Sequence, residues 1–369
     1  MKKTIYIFFL FTVIILCKGG ALAQNNNVAL DSNYINRVQF NFEKAYNEIT
    51  DMLNGKQSLS FKRAVFLVEN AYFGDSLNYQ LFCSKIDIYK TIVLAYNNSN
   101  KLLNYSYKDS TTENINASLF KVFSDTIRTQ DGLILSTPFQ YNFDDALGYK
   151  KHLNLFVNNL LYNKKGNCRS LPYLYKILTE ELGTKSYLAL APMHIYIKQR
   201  NKKVGWYNVE LTSAQYPNDF YLVSTGYISQ QNIISGLYMD TLSLRESVSI
   251  CLMDLCKAYT SKLGANTSIN FQLQCANKAL SIKSNYIDAL LIKQRLHKSL
   301  WIKYQKENNI DLLNQNKIAY NEINKKLIQL DYRDVSEETF QKWYVSYQKN
   351  KSSFNNNKIN TTFKTTNVK

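Results

Sequence analysis

The chain is poor in the groupings that build metal sites. It has three histidines and six cysteines among 369 residues. His152, His194 and His297 form no HxxxH pair, and Cys251 and Cys256 are not spaced as CxxC, so a structural zinc site is not expected. Calcium loops of the DxDxDG type are missing as well, and neither a metal nor another cofactor is called for. With 12 glycines and 4 prolines the chain is no collagen-like rod, and 45% hydrophobic against 20% charged residues excludes wholesale disorder. Beyond the first residues no apolar run approaches the ~20 needed to span a membrane, so no transmembrane segment is expected. An arginine-aromatic stripe is also lacking. The formal charge of +17 is carried by scattered lysines, and nucleic acid is not an expected partner.

What is present begins with a leader. Lys2-Lys3, an apolar stretch from Ile5 to Leu16, and Ala21-Leu22-Ala23 before Gln24 read as a signal peptide over residues 1–23. That predicts export, to a periplasmic or extracellular location. Acylation of Cys17 is the weaker alternative, because Leu16 occupies the place of a small residue. Without Lys2, Lys3 and Lys18 the charge is +14. Five cysteines remain in the mature chain, and an odd number leaves at least one thiol unpaired within it.

Patterning divides the rest. After a linker over residues 24–35, residues 36–160 read as a helical region, with stripes at Val38, Phe42, Ala45 and Ile49 and at Phe61, Ala64, Val65, Val68 and Ala71. The Ser/Thr/Asn-rich stretch Asn104–Ala117 reads as a loop. Residues 161–235 change texture to one helix, Leu171–Leu182 ended by Gly183, followed by strands at Tyr187–Ala191, His194–Lys198 and Trp206–Leu211. Helices return over 236–349. There the run from Cys275 to Leu290 resembles a tetratricopeptide hairpin, with no second copy. Asp334 and Glu337 could cap a last helix to about Tyr347, and residues 350–369 read as a disordered tail. The fold class expected is α+β, a small core flanked by helical regions.

Chemistry concentrates in the middle. Gly166-Asn167-Cys168-Arg169-Ser170 immediately precedes a helix, where unpaired amides and the helix dipole favour a thiolate and can hold an oxyanion. A buried structural cysteine is the plain alternative. His194 opens a strand whose partner offers two orienting groups. If Lys198 pairs with Trp206, His194 faces Glu210; a two-residue slip puts Asn208 there instead. Either would fix the imidazole tautomer and leave the other nitrogen for a thiol proton.

Gly166-Asn167-Cys168 entering a helix, then Ala191-Pro192-Met193-His194-Ile195-Tyr196-Ile197, then Gly205-Trp206-Tyr207-Asn208-Val209-Glu210-Leu211-Thr212, resembles the transglutaminase-like branch of the papain-like cysteine enzymes over roughly 50–80 residues. The resemblance implies an α+β core with the order Cys, His, acid. It also implies a protein or peptide substrate carrying an amide, whose acyl group a thiolate attacks before transfer to an amine or water. Cys168 and His194 carry over directly. The third role stays open between Glu210, where the family more commonly has Asp, and Asn208, and Asn163 is a candidate oxyanion donor. The other reading is a catalytically silent domain of the same fold, used as a peptide- or protein-binding module.

Overall fold

The computed structural model describes residues 30–367, except 337, 340–341, 343–344, 346–348, 350–352 and 354. The expected leader and most of the helix expected up to Tyr347 lie outside the described residues. Helices α1 (Ser32–Leu53) and α2 (Phe61–Tyr72) bury both stripes read from the sequence. α1 begins within the stretch expected to be linker, capped by Asp31, whose carboxylate accepts from Asn33 N–H.

Next come α3 (Tyr79–Ser99), strand β1 (Asn100–Leu102) and α4 (Ser110–Ser124). The loop expected over Asn104–Ala117 is thus helical from Ser110. Asparagines are poor helix formers when exposed, but Asn114 and Asn116 are buried here with partners. Asn114 accepts from Leu102 N–H and donates to Asn100 O, and Asn116 donates to Glu113. Tertiary hydrogen bonds override the local preference for a loop.

The short strands β2 (Ile127–Arg128) and β3 (Ile134–Ser136) form an antiparallel pair. Strand β4 (Gln140–Tyr141), helix α5 (Val157–Asn163) and strand β5 (Lys165–Gly166) lead to α6 (Ser170–Glu181), and β4 pairs in parallel with β5. Helix α6 is buried at every position from Ser170 to Thr179, surrounded by α2, α3, α4, α5 and the sheet that follows. A helix apolar on all sides belongs inside a core. Its polar atoms are met there: Thr179 donates to Lys176 O, and Tyr175 OH donates to Gln199.

That sheet is an antiparallel meander of β6 (Tyr187–Ala191), β7 (His194–Asn201) and β8 (Gly205–Val209). The register of the second hairpin departs from both expected alternatives: Lys198 faces Asn208, and Arg200 faces Trp206. The turn sets it. Asn201 pairs with Gly205 across a three-residue loop, the Asn201 side chain accepts from the N–H groups of Lys203 and Val204, and Gly205 takes φ +78°.

The chain continues through α7 (Asp219–Gly226), α8 (Gln230–Ile234), α9 (Leu244–Leu263), α10 (Ile269–Ile282), α11 (Ile287–Lys306) and α12 (Ile310–Gln329). α10 and α11 form the expected helical hairpin, α12 packs on α11, and α9 packs against α1, α2 and α10. Residues 357–367 correct the reading of a disordered tail. Helix α13 (Asn357–Thr362) buries Ile359, and strand β9 (Thr365–Asn367) pairs with β1. Phe363 packs its ring on Tyr207 and Tyr216 at 5.5 and 5.2 Å.

The described chain is α+β. No helix among the described residues is long and apolar enough to cross a membrane. The three regions expected between residues 36 and 349 all contribute to a shared hydrophobic core, and the chain from Asp31 onward is a single unit.

Candidate active site

Cys168 stands two residues before α6, on a connection held from both sides. Asn167 Oδ1 accepts from the N–H groups of Arg169 and Ser170, and Ser170 Oγ accepts from Asn167 N–H while donating to Asn154 O. Gly166 allows the close approach this requires: a Cβ there would stand 2.6 Å from Ser170 Oγ and 2.9 Å from a Leu160 methyl. The Cys168 backbone N–H has no acceptor among the described residues.

His194 is delivered by the β6–β7 hairpin. Ala191 pairs with His194 across a two-residue turn of Pro192 and Met193, and Met193 is held at φ +55°. Proline followed by a residue of positive φ is a type II turn, which ordinarily takes glycine at the second position. The strained conformation aims the Met193 carbonyl at Cys168, whose thiol donates to it at 3.8 Å. The Cys168 side chain also stands near enough to the His194 ring to favour its charged form.

Nε2 of His194 lies 2.6 Å from Glu210 Oε2. The register places these two diagonally rather than directly opposite, a separation that long side chains bridge. Glu210 is 1% exposed, and its other oxygen accepts from Thr212 N–H and Oγ1 at 2.9 and 2.8 Å. Burial alone would lower the imidazolium pKa, but the Glu210 carboxylate and Cys168 outweigh it and raise the value to about 10. Burial likewise works against the Glu210 carboxylate. The imidazolium and the Thr212 hydrogen bonds overcome it and bring the group below the usual carboxylate range. With Nε2 engaged, Nδ1 is the ring nitrogen left for the thiol. Tyr196 stacks parallel to the ring, with centroids 6.4 Å apart.

Asn208 is not part of this grouping. It is buried on β8, and its amide donates to Pro217 O and to Asp219 Oδ1. Asn163 closes α5, where its side chain accepts from Lys165 N–H. Thus Cys168, His194 and Glu210 come together, while Asn208 and Asn163 are engaged elsewhere.

Cys168 and His194 line a cleft of about 400 Å³ that is walled by residues far apart in sequence: Gly148 and Tyr149, Leu190, Met193 and Ile195, Tyr238, and Lys257, Asp288 and Arg295 from α9 and α11. Sequence reading missed the ion network beneath it. Arg169, the neighbour of Cys168, pairs with Asp254 of α9 and, at 3.3 Å, with Asp288 of α11; Asp288 also takes Lys257, and Tyr173 OH donates to Asp254. The acids lie 85 and 119 residues from Arg169, beyond the reach of any local pattern. Among the described residues no group of three or more His, Cys, Asp or Glu is placed to hold a metal ion.

No family model, curated protein or solved structure matches this chain.

Proposed function

We propose that the protein is a cysteine-dependent acyltransferase or amidase of transglutaminase-like type, exported by its leader and acting on an amide of a protein or peptide. The observation that carries this reading is the line from Cys168 through His194 to a buried Glu210 carboxylate 2.6 Å from the ring, opening on a cleft large enough for a peptide side chain. Glu210 fixes the ring and keeps it charged, so the imidazolium stabilises a thiolate at Cys168 and has a proton ready for the leaving group.

In the reaction, the Cys168 sulfur bonds to the amide carbonyl carbon, and the carbonyl oxygen becomes an oxyanion facing the free Cys168 N–H. Collapse breaks the C–N bond. His194 gives its proton to the departing amine nitrogen, leaving a thioester. Water or a second amine then attacks the thioester carbon and gives its proton to His194, and the Cys168 thiolate leaves.

Alkylation of the native protein with dilute iodoacetamide, followed by mapping of the modified residues, tests the reading without the substrate. Cys168 reacts ahead of the other cysteines, and His194→Ala slows it. An unchanged rate in that variant, with Cys168 no faster than Cys83, transfers the reading to a catalytically silent binding domain.

A further inference from the structure

Besides His194, three lysine or arginine side chains line the cleft, and two of them are neutralised internally. Arg169 is engaged by Asp254 and Asp288, and Lys257 by Asp288. Arg295 is different. It lines the same cleft, is exposed, and has no hydrogen bond or ion pair among the described residues. On α11 it follows Asp288 by seven residues, which is two turns, so the two project from the same face of the helix about 10 Å apart. Asp288 is tied to Arg169, the residue beside the nucleophile. The free guanidinium therefore stands roughly 10 Å along the cleft wall from the Cys168 end, the span of about three extended peptide residues.

We propose that Arg295 is a carboxylate-binding subsite, and that the substrate is a peptide carrying an acidic group two or three residues from the amide that reacts. This rests on the reading of Cys168 as the nucleophile. An arginine left unpaired beside a neutralised network offers its planar fork to a carboxylate in two parallel hydrogen bonds. The paired ions position the Cys168 connection; Arg295 supplies the charge that selects the ligand.

The probes are two chloroacetyl peptides, chloroacetyl-Gly-Gly-Glu-amide and its Gln analogue, applied to the full-length protein. Cys168 displaces chloride, forming a thioether, and the ratio of the two labelling efficiencies isolates recognition of the carboxylate. The Glu reagent is expected to label Cys168 about two- to fivefold more efficiently, the range for an accessible ion pair, with the preference shrinking as salt is raised. Arg295→Gln brings the ratio to that of free cysteine. Lys298→Gln makes the same charge change on the same helix at a residue that does not line the cleft, and keeps the ratio. Rapid labelling of Cys168 with equal efficiency by both peptides overturns the subsite and leaves the nucleophile reading intact. A preference for the Glu reagent that survives Arg295→Gln also overturns it. Labelling of Cys168 no faster than Cys83 by either peptide overturns both.

Discussion

The other cysteines provide an internal control for Cys168. Cys251, Cys256 and Cys275 are buried, and burial pushes their thiols up, Cys256 to about 12. Iodoacetamide should therefore leave these three unmodified until the protein unfolds, with Cys83, half-buried on α3, the relevant competitor. Glu210 can be tested separately from the thiol. His194 is raised above an ordinary histidine, so its ion pair stabilises the fold fully below about pH 6.5, and that contribution is lost as pH rises through about 10. In Glu210→Gln, burial is left without its main opponent, and the His194 ring proton signals followed by NMR should titrate far below the wild-type midpoint. A midpoint unchanged by the substitution would mean that Glu210 does not hold the ring. Turnover in His194→Ala should fall by about 10²–10⁴, as for loss of a general acid and base.

Among the elements, the connection from β5 into α6 is the least tolerant of added volume. Gly166→Ala would drive a methyl into Ser170 Oγ and Leu160, and should cost about 1–3 kcal/mol in denaturant unfolding. It should also slow Cys168 alkylation, because Ser170 holds Asn167 N–H next to Cys168. At the other end of the chain, Ile359 is fully buried on α13, and Ile359→Ala should cost about 2–5 kcal/mol. A melting temperature unchanged in that variant would return residues 357–367 to the status of a dispensable tail.

For the molecule as a whole, the Arg169 network makes the C-terminal helices part of the site. Burial opposes the Asp288 charge, but Lys257 and Arg169 dominate and hold its carboxyl at about 2. Because this folded value lies below the unfolded one, the stabilisation is present above about pH 4 and lost as pH falls from there toward 2. Urea unfolding from pH 2 to 6 should show Asp288→Asn less stable than wild type by about 1–2 kcal/mol near pH 6, with the gap closing in acid. Parallel curves separated by a constant amount would show that the Asp288 charge does not contribute in this way. The same substitution removes the α11 anchor of Arg169, so Cys168 alkylation reports whether the helices influence Cys168.

Much of the local order was legible in the residues themselves. The stripes of α1 and α2 follow from the 3.6-residue period, and β6 matches its apolar run. The end of α6 follows from Gly183, which adopts φ +71° just past the helix. Cys168 and His194 were legible because a thiol before a helix and an imidazole at a strand start are local features. The choice of Glu210 over Asn208 was not, since it depends on a register fixed by the Asn201 turn and on where Asn208 finds its partners. Burial turned a Ser/Thr/Asn-rich stretch into α4, and pairing with β1 ordered residues 365–367 against their composition. Sequence thus determined the periodicities and which side chains are candidates for reaction, since these depend on neighbours a few residues away. Tertiary structure decided the register, the polar partners and the charge of the cleft, because Arg169 meets Asp254 and Asp288, and shares a cleft with Arg295, only through space across more than a hundred residues of chain.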